Sequence, residues 1–349
     1  MSALQSAKRV LKYQIIRVGL EAVALSRLGR LMPAAAGRGV VFTLHHVRPE
    51  TPSRFDPNAI LAVTPAFLEQ AIGVALTHGL TAVHLHDLPA LLADPAETRK
   101  FVAFTLDDGY RNNAEFAAPV FRKFGVPYTI FVTSGFTARI RTIWWETAAA
   151  LAGNGRSFRF DFGAGAEVVT TATVAERFAA FERLARLVQS IDEDEAVRRL
   201  DRAAAAHGID ADAIVADLVM AEDELRALAA DPLVHFGAHT VTHVNLKRVT
   251  AARLEEEIAD STRAVEAMVG RRPRSFSYPY GWSSAVGDRE IAATASAGFA
   301  VAVTTQPGVL PLGPLERPTG LHRVSLNGYY QKPRYVEALI SGIPFRLMA

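Results

Sequence analysis

The stretch Phe101-Val102-Ala103-Phe104-Thr105-Leu106-Asp107-Asp108-Gly109-Tyr110-Arg111-Asn112-Asn113 decides how this chain is read. Its first six residues are apolar, aromatic or β-branched, the composition of a strand buried in a parallel sheet. The run ends on two adjacent carboxylates and a glycine. α/β folds gather their chemistry at the C-terminal ends of such strands, although Asp-Gly is also an ordinary turn pair. A second stretch tips the reading toward chemistry. His239-Thr240-Val241-Thr242-His243 follows another strand-like run, Leu233 to Phe236. Two imidazoles four residues apart, joined by a distant carboxylate, make a divalent-metal site with positions left open for water and substrate. Neighbouring side chains diverge along a strand, so one of Asp107 and Asp108 can ligate while the other acts as general base.

Outward from these stretches, strands alternate with helices. Val40 to Leu44 reads as a strand ending at His45-His46, and Thr64 to His78 as a helix capped by Thr64 with Pro65 in its first turn. Val83 to Leu85 is a short strand and Leu88 to Leu92 starts a helix that Pro95 ends. Ala114 to Phe124 is helical, and Tyr128 to Val132 is the next strand. The rhythm lapses between about Trp144 and Asp231, where three Ala-rich helices and the run Phe158 to Phe162, an edge strand or hairpin, form a mostly helical insertion. Trp144 and Trp145 at its start either line a cleft or anchor the insertion. The rhythm resumes with a helix from Thr250 to Val269 stopped by Gly270, strands at Ser275, Phe299 to Thr304 and Leu321 to Val324, and a last helix near Arg334 to Ile340. This order implies a parallel sheet with right-handed crossovers, either open or closed into a barrel.

Residues 1–38 form a separate segment. Lys8, Arg9, Lys12, Arg17, Arg27 and Arg30 alternate with Val10, Leu11, Ile15, Ile16, Leu20, Val23, Leu25 and Leu28, a basic amphipathic helix. Ala34-Ala35-Ala36 resembles a signal-peptide cleavage site, but Glu21, Arg27 and Arg30 interrupt the apolar core such a peptide needs. The expected placement is a helix packed on the main domain, with peripheral contact to an anionic membrane surface as the functional alternative. The expected compartment is the cytoplasm, with a peripheral position at the inner membrane surface as the alternative. The 349 residues are 50% hydrophobic and 21% charged, ordinary for a globular protein, and a net charge of +2 gives no general reason to expect a nucleic-acid partner. With no cysteine, any metal is held by His, Asp, Glu or water.

The motifs resemble those of the polysaccharide deacetylases that share the NodB homology domain, carbohydrate esterase family 4. Thr105-Leu106-Asp107-Asp108-Gly109 is similar to the family's first motif, with Leu106 in place of Phe, and His239, Thr240 and His243 match its second. Tyr110, Asn112-Asn113 and Pro127 to Val132 follow as usual, Tyr278-Pro279-Tyr280-Gly281 resembles the third motif, and Leu44-His45 resembles a common family feature. The resemblance covers about Val40 to Val324 apart from the insertion. It implies a distorted (β/α) barrel of about seven repeats, spanning residues 39–349 with the insertion at about 144–231. It implies that Asp107 is the catalytic base and that Asp108, His239 and His243 bind a divalent metal, zinc first, with cobalt or nickel accepted by relatives. The backbone N–H of Tyr280 would steady the oxyanion of the tetrahedral intermediate. The implied reaction removes N-acetyl, less often O-acetyl, groups from the sugars of a polysaccharide or oligosaccharide.

The sequence departs from the family in three places. The third-motif Arg that many members set against the catalytic Asp is missing, and that stretch offers Ser277, with Arg274 upstream. The fourth motif is not recognisable. In the region of the fifth, Leu321-His322-Arg323-Val324 offers His322 as general acid and Arg323 as a replacement partner for Asp107; a strand-edge His322 without a catalytic task is the competing reading. Structural hydrogen bonding is the default for His45 and His46, with one of them facing the cleft as the alternative. Two other functions stay open: a carbohydrate-binding or assembly protein on the same barrel, and a metal-dependent hydrolase of a non-sugar C–N bond.

Overall fold

The computed structural model of the chain describes residues 2–26 and 28–347; Arg27 and the side chains of residues 1–10, Lys8 and Arg9 among them, lie outside the described residues. Within them, eight strands form the main sheet: β1 (Gly39–Leu44), β2 (Leu80–Ala82), β3 (Lys100–Leu106), β4 (Tyr128–Val132), β5 (Val234–Ala238), β6 (Ser275–Ser277), β7 (Val301–Val303) and β8 (Val324–Ser325). Seven of them run in the order β7-β6-β5-β4-β3-β1-β8, every pair parallel, and β2 pairs with the start of β3. The sheet curls until its ends meet. Leu321 bridges to Val303 of β7, and the same segment continues into β8, whose Val324 pairs with Phe42 of β1. This is a distorted (β/α) barrel, as the family resemblance implies.

Alternation along the strands sorts the side chains into two layers. Val41, Phe101, Ala103, Phe131, Val301, Val303 and Leu321 fill the barrel interior. Val40, Phe42, Val102, Phe104, Leu106 and Ile130 face the surrounding helices. With both faces covered, β1 and β3 have almost no exposed residue, which is why they read as unbroken apolar runs. On β5 the inward positions are His235, Gly237 and His239. A Cβ at Gly237 would stand 2.4 Å from two ring carbons of Phe131, so only glycine leaves room for that ring.

Local signals fix most helix ends. The Thr64 side chain accepts from the Phe67 N–H at the start of helix Pro65–Thr77, and Thr250 does the same for Arg253 at the start of Ala251–Val269. Gly270 ends the latter helix at φ 72°. Two expected elements move. The short strand expected at Val83 to Leu85 lies at Leu80–Ala82, and Leu85–Asp87 is a 3-10 turn. The helix expected from Ala114 begins as a π turn, Asn113–Ala117, before continuing as Ala118–Phe124. Such widened turns are frequent at functional sites. Here it accompanies two inward asparagines: Asn112 Oδ1 accepts from the Val47 N–H at 3.1 Å, and Asn113 Nδ2 donates to the His45 carbonyl at 2.7 Å.

The insertion comprises helix Trp144–Gly153, a hairpin of Ser157–Asp161 with Ala166–Thr170, and helices Val174–Ser190, Glu193–Ala206, Ala211–Leu218 and Glu222–Leu228. It has its own apolar core, including Trp145, Leu151, Phe158, Leu184, Leu200 and Val215. Arginines of the barrel loops hold it by the exposed carbonyl ends of its helices. Arg111 donates to Ala216, Asp217 and Val219 and pairs with Glu224; Arg248 donates to Val188 and Ile191. The N-terminal helix Ser2–Ser26 packs against the C-terminal helices Pro333–Ile340 and Ile343–Arg346. Among the described residues, no helix is long and apolar enough to cross a membrane.

Candidate active site at the barrel mouth

The C-terminal ends of β3, β5 and β6 bring the sequence motifs together. Asp108 Oδ1 lies 3.5 Å from His239 Nε2 and 3.4 Å from His243 Nε2. Each of the three residues offers a ligand atom within 4.8 Å of the others, and all three are buried. His239 Nδ1 sits 2.6 Å from the Ser277 carbonyl of β6. That oxygen can only accept, so Nδ1 carries the proton and Nε2 presents its lone pair to the cluster. Asp108 Oδ1 is buried without a hydrogen-bond donor. An ionised carboxylate oxygen left so is costly unless a cation completes it. Two imidazole nitrogens and one carboxylate oxygen are the donor set of a catalytic zinc site, so the residues fit a divalent ion.

The backbone around the cluster is strained. Of the five described non-glycine residues with positive φ, four belong to the motifs: Asp108 (73°), Thr240 (62°), His243 (55°) and Tyr280 (63°). Asp and His tolerate this region, whereas a β-branched Thr and a bulky Tyr pay of order 1–3 kcal/mol each. Glu257 braces the second motif. Glu257 is nearly buried and accepts from the N–H groups of Val241 and Thr242 at 2.8 and 3.0 Å, which fixes the loop that aims His243.

Asp107 has a different environment. Arg323 grips it with two parallel hydrogen bonds, Nη1 to Oδ1 at 2.8 Å and Nη2 to Oδ2 at 2.7 Å, and both groups are buried. The guanidinium also donates to Ser277 Oγ at 3.0 Å, Thr105 Oγ1 at 3.0 Å and the Thr304 carbonyl at 2.9 Å, so its position is over-determined. Arg323 therefore stands beside Asp107 from β8's side of the barrel, with Ser277 where the third motif lacks its Arg. Burial pushes the Asp107 carboxyl up, and the charge and hydrogen bonds of Arg323 outweigh it, leaving the group below its ordinary range.

His322 is not brought to this cluster. Leu321 and Arg323 point into the barrel, so alternation turns His322 outward, where it is exposed and lies against Gly308. His45 takes the inward position instead. β1 and β3 pair Thr43 with Thr105 and Leu44 with Leu106, and the Asp107 N–H donates to the Leu44 carbonyl. The next pair in that register is His45 beside Asp107; burial holds the His45 imidazole below its ordinary range, with the charges of Asp108 and Asp107 acting against it. His46 is structural, packed on Tyr110 with ring centroids 3.6 Å apart and hydrogen-bonded to Asn112 at 2.8 Å.

Aromatic residues of the insertion close over the cluster. Trp145 packs on His243 with ring centroids 4.8 Å apart and donates to the Tyr110 hydroxyl at 3.0 Å. Trp144 donates to the Tyr280 hydroxyl at 2.9 Å, and that hydroxyl donates to buried Glu193 at 2.5 Å. The pair thus serves both expected roles, wall and anchor. Tyr280 is held by its side chain, while its backbone N–H has no acceptor among the described residues.

A carboxylate–imidazole cluster at the mouth of a (β/α) barrel, beside a second carboxylate kept apart from it, defines a hydrolase-type site. The chain belongs to the polysaccharide deacetylase family, whose model matches residues 94–159 and 195–302. The unmatched span 160–194 falls inside the insertion, and Arg323 lies beyond the match. The fold is similar to that of the Streptococcus pyogenes deacetylase PplD, with a TM-score of 0.55 at 15% identity over 86% of this chain and 96% of that one. It is also similar to BC0361, a polysaccharide deacetylase from Bacillus cereus (TM-score 0.53, 15% identity, 86% and 69% covered), and to IcaB from Ammonifex degensii (0.51, 16%, 85% and 96%). No curated protein sequence matches the chain.

Proposed function

We propose that this protein hydrolyses acetyl groups from an N-acetylated, or O-acetylated, sugar within a polysaccharide or oligosaccharide, using a divalent metal ion held by Asp108, His239 and His243. The observation that carries the reading is the division of the adjacent carboxylates, Asp108 turned to two imidazoles and Asp107 clamped by Arg323. The donor set suits zinc, with cobalt or nickel as substitutes. When bound, the ion supplies Lewis acidity to a water and to the acetyl carbonyl. Asp107, held ionised by Arg323, accepts the proton of the attacking water. The Tyr280 N–H donates to the oxygen that becomes negative. As the C–N bond breaks, a proton passes to the leaving amine, and acetate is released. His45, inward-facing beside Asp107, is the proposed donor of that proton in place of His322.

Two expected results test these roles. Asp108→Asn and His239→Ala lose bound metal and acetate release together, as measured by elemental analysis and an acetate assay on the same samples. Stoichiometric metal in either variant contradicts the ligand set. His45→Gln loses turnover at retained metal content, whereas His322→Gln keeps near wild-type turnover. The reverse pattern returns the acid role to His322.

A further inference from the structure

Helix Ser2–Ser26 carries two apolar faces, and the fold uses one. Leu20 and Val23 are buried against Tyr335, Ala338 and Ile343. On the opposite side Leu11, Ile15, Val18 and Leu25 are 59%, 62%, 66% and 76% exposed. Together with exposed Ala22, their alternating steps of four and three residues align them along one face of the helix, in an arc of about 80°. Beyond the helix, Leu28, Leu31 and Met32 are exposed as well. A continuous apolar stripe of this length on a folded chain marks an interaction surface.

Charge says what covers it. The segment 1–38 contains a single acid, Glu21, against seven Lys and Arg residues. Glu21 is turned toward the body of the protein, where its carboxylate accepts from Arg334, Tyr335 and Lys332. Those partners hold its carboxyl well below the usual range. The outer surface is left with Lys12, Arg17 and Arg30, all exposed. A second copy laid on this stripe would set like charges against each other. A bilayer carrying anionic phospholipid supplies both an apolar boundary for the leucines and isoleucine and counter-charge for the flanks.

We propose that this face docks the protein on an anionic membrane surface, the helix lying in the plane of the interface. The stripe points away from the C-terminal helices, so the helix can enter the headgroup boundary without leaving its seat. The barrel is then carried at the surface by a segment outside the deacetylase site, and the proposal stands or falls independently of the catalytic reading.

The test is co-sedimentation of the full chain with phosphatidylcholine vesicles, with and without phosphatidylglycerol. The expected result is binding to the anionic vesicles that weakens with added salt. Ile15→Glu with Val18→Glu should reduce it by about tenfold or more, and Lys12→Glu with Arg17→Glu should do likewise. These side chains are exposed, so the melting temperature and turnover of a short soluble substrate serve as folding controls; Leu31→Glu, outside the helix, gives a second variant should the doubles fail to fold. Absence of wild-type binding, or equal binding by folded variants, overturns the proposal. So does a lipid-free dimer in sedimentation equilibrium that the same substitutions dissociate, which assigns the stripe to a second copy.

Discussion

Asp107→Asn is expected to lower acetate release by on the order of 10²–10⁴, the usual worth of a positioned general base, while bound metal stays at the wild-type level. The two readouts separate because the carboxylates face different partners. Asp108 alone reaches the imidazoles, at 3.4 and 3.5 Å, whereas both oxygens of Asp107 are taken by Arg323. An amide at position 107 can accept from the guanidinium at one oxygen but cannot take a proton from water. It also turns an N–H₂ toward a group that only donates, so some stability is lost as well. Near wild-type turnover in Asp107→Asn, measured on metal-replete protein, removes Asp107 from the role of base.

Arg323→Met is the second large effect, and it acts through Asp107. The change keeps much of the volume but leaves a buried carboxylate without its partner, a disruption that typically costs about 3–5 kcal/mol. The dependence on pH carries a definite sign. In the native protein the Asp107 carboxyl lies below its ordinary value, so its contribution to stability is present above the unfolded pKa and fades as the pH falls through the folded one. Without Arg323, burial is the leading influence and pushes the carboxyl up. The variant then becomes less stable relative to wild type as the pH rises through the carboxylate range, and the acid limb of kcat/KM moves to higher pH. Arg323→Lys restores the charge but not the two-pronged grip, and recovers only part of either effect. Urea unfolding across pH, alongside kcat/KM profiles, reads both. An unshifted acid limb would mean that Arg323 does not tune the base.

The candidate site was legible in the sequence because each motif is local. Asp107-Asp108-Gly109 closes an apolar strand, and His239 and His243 sit within one loop. Partnerships across the barrel left weaker traces. Arg323 reaches Asp107 over 216 residues of chain, and the sequence offers the pair only through the Arg missing from the third motif and the stretch Leu321-His322-Arg323-Val324. Parity would have helped: with Leu321 inside the barrel, Arg323 must be inside and His322 outside. Residue type favoured His322 as an acid, and strand alternation decided otherwise. The same parity, carried across the β1–β3 register, sets His45 beside Asp107. The insertion's helices showed in their Ala-rich periodicity, but its seat over the mouth did not. That seat depends on isolated long-range contacts, such as Asp194 with Arg141 and Arg253, and Glu193 with Tyr280, which have no period.

The most direct test of the central claim is acetate release from a panel of N-acetylated and O-acetylated glycans. The protein is stripped of metal, then assayed before and after adding back zinc, cobalt or nickel, with Asp107→Asn as the blank. The account predicts no release from the stripped protein, recovery on metal addition, and no recovery in the variant. Full release from metal-free protein would contradict the role given to Asp108, His239 and His243. Metal bound without release from any glycan would turn the reading toward a binding protein or a hydrolase of non-sugar amides.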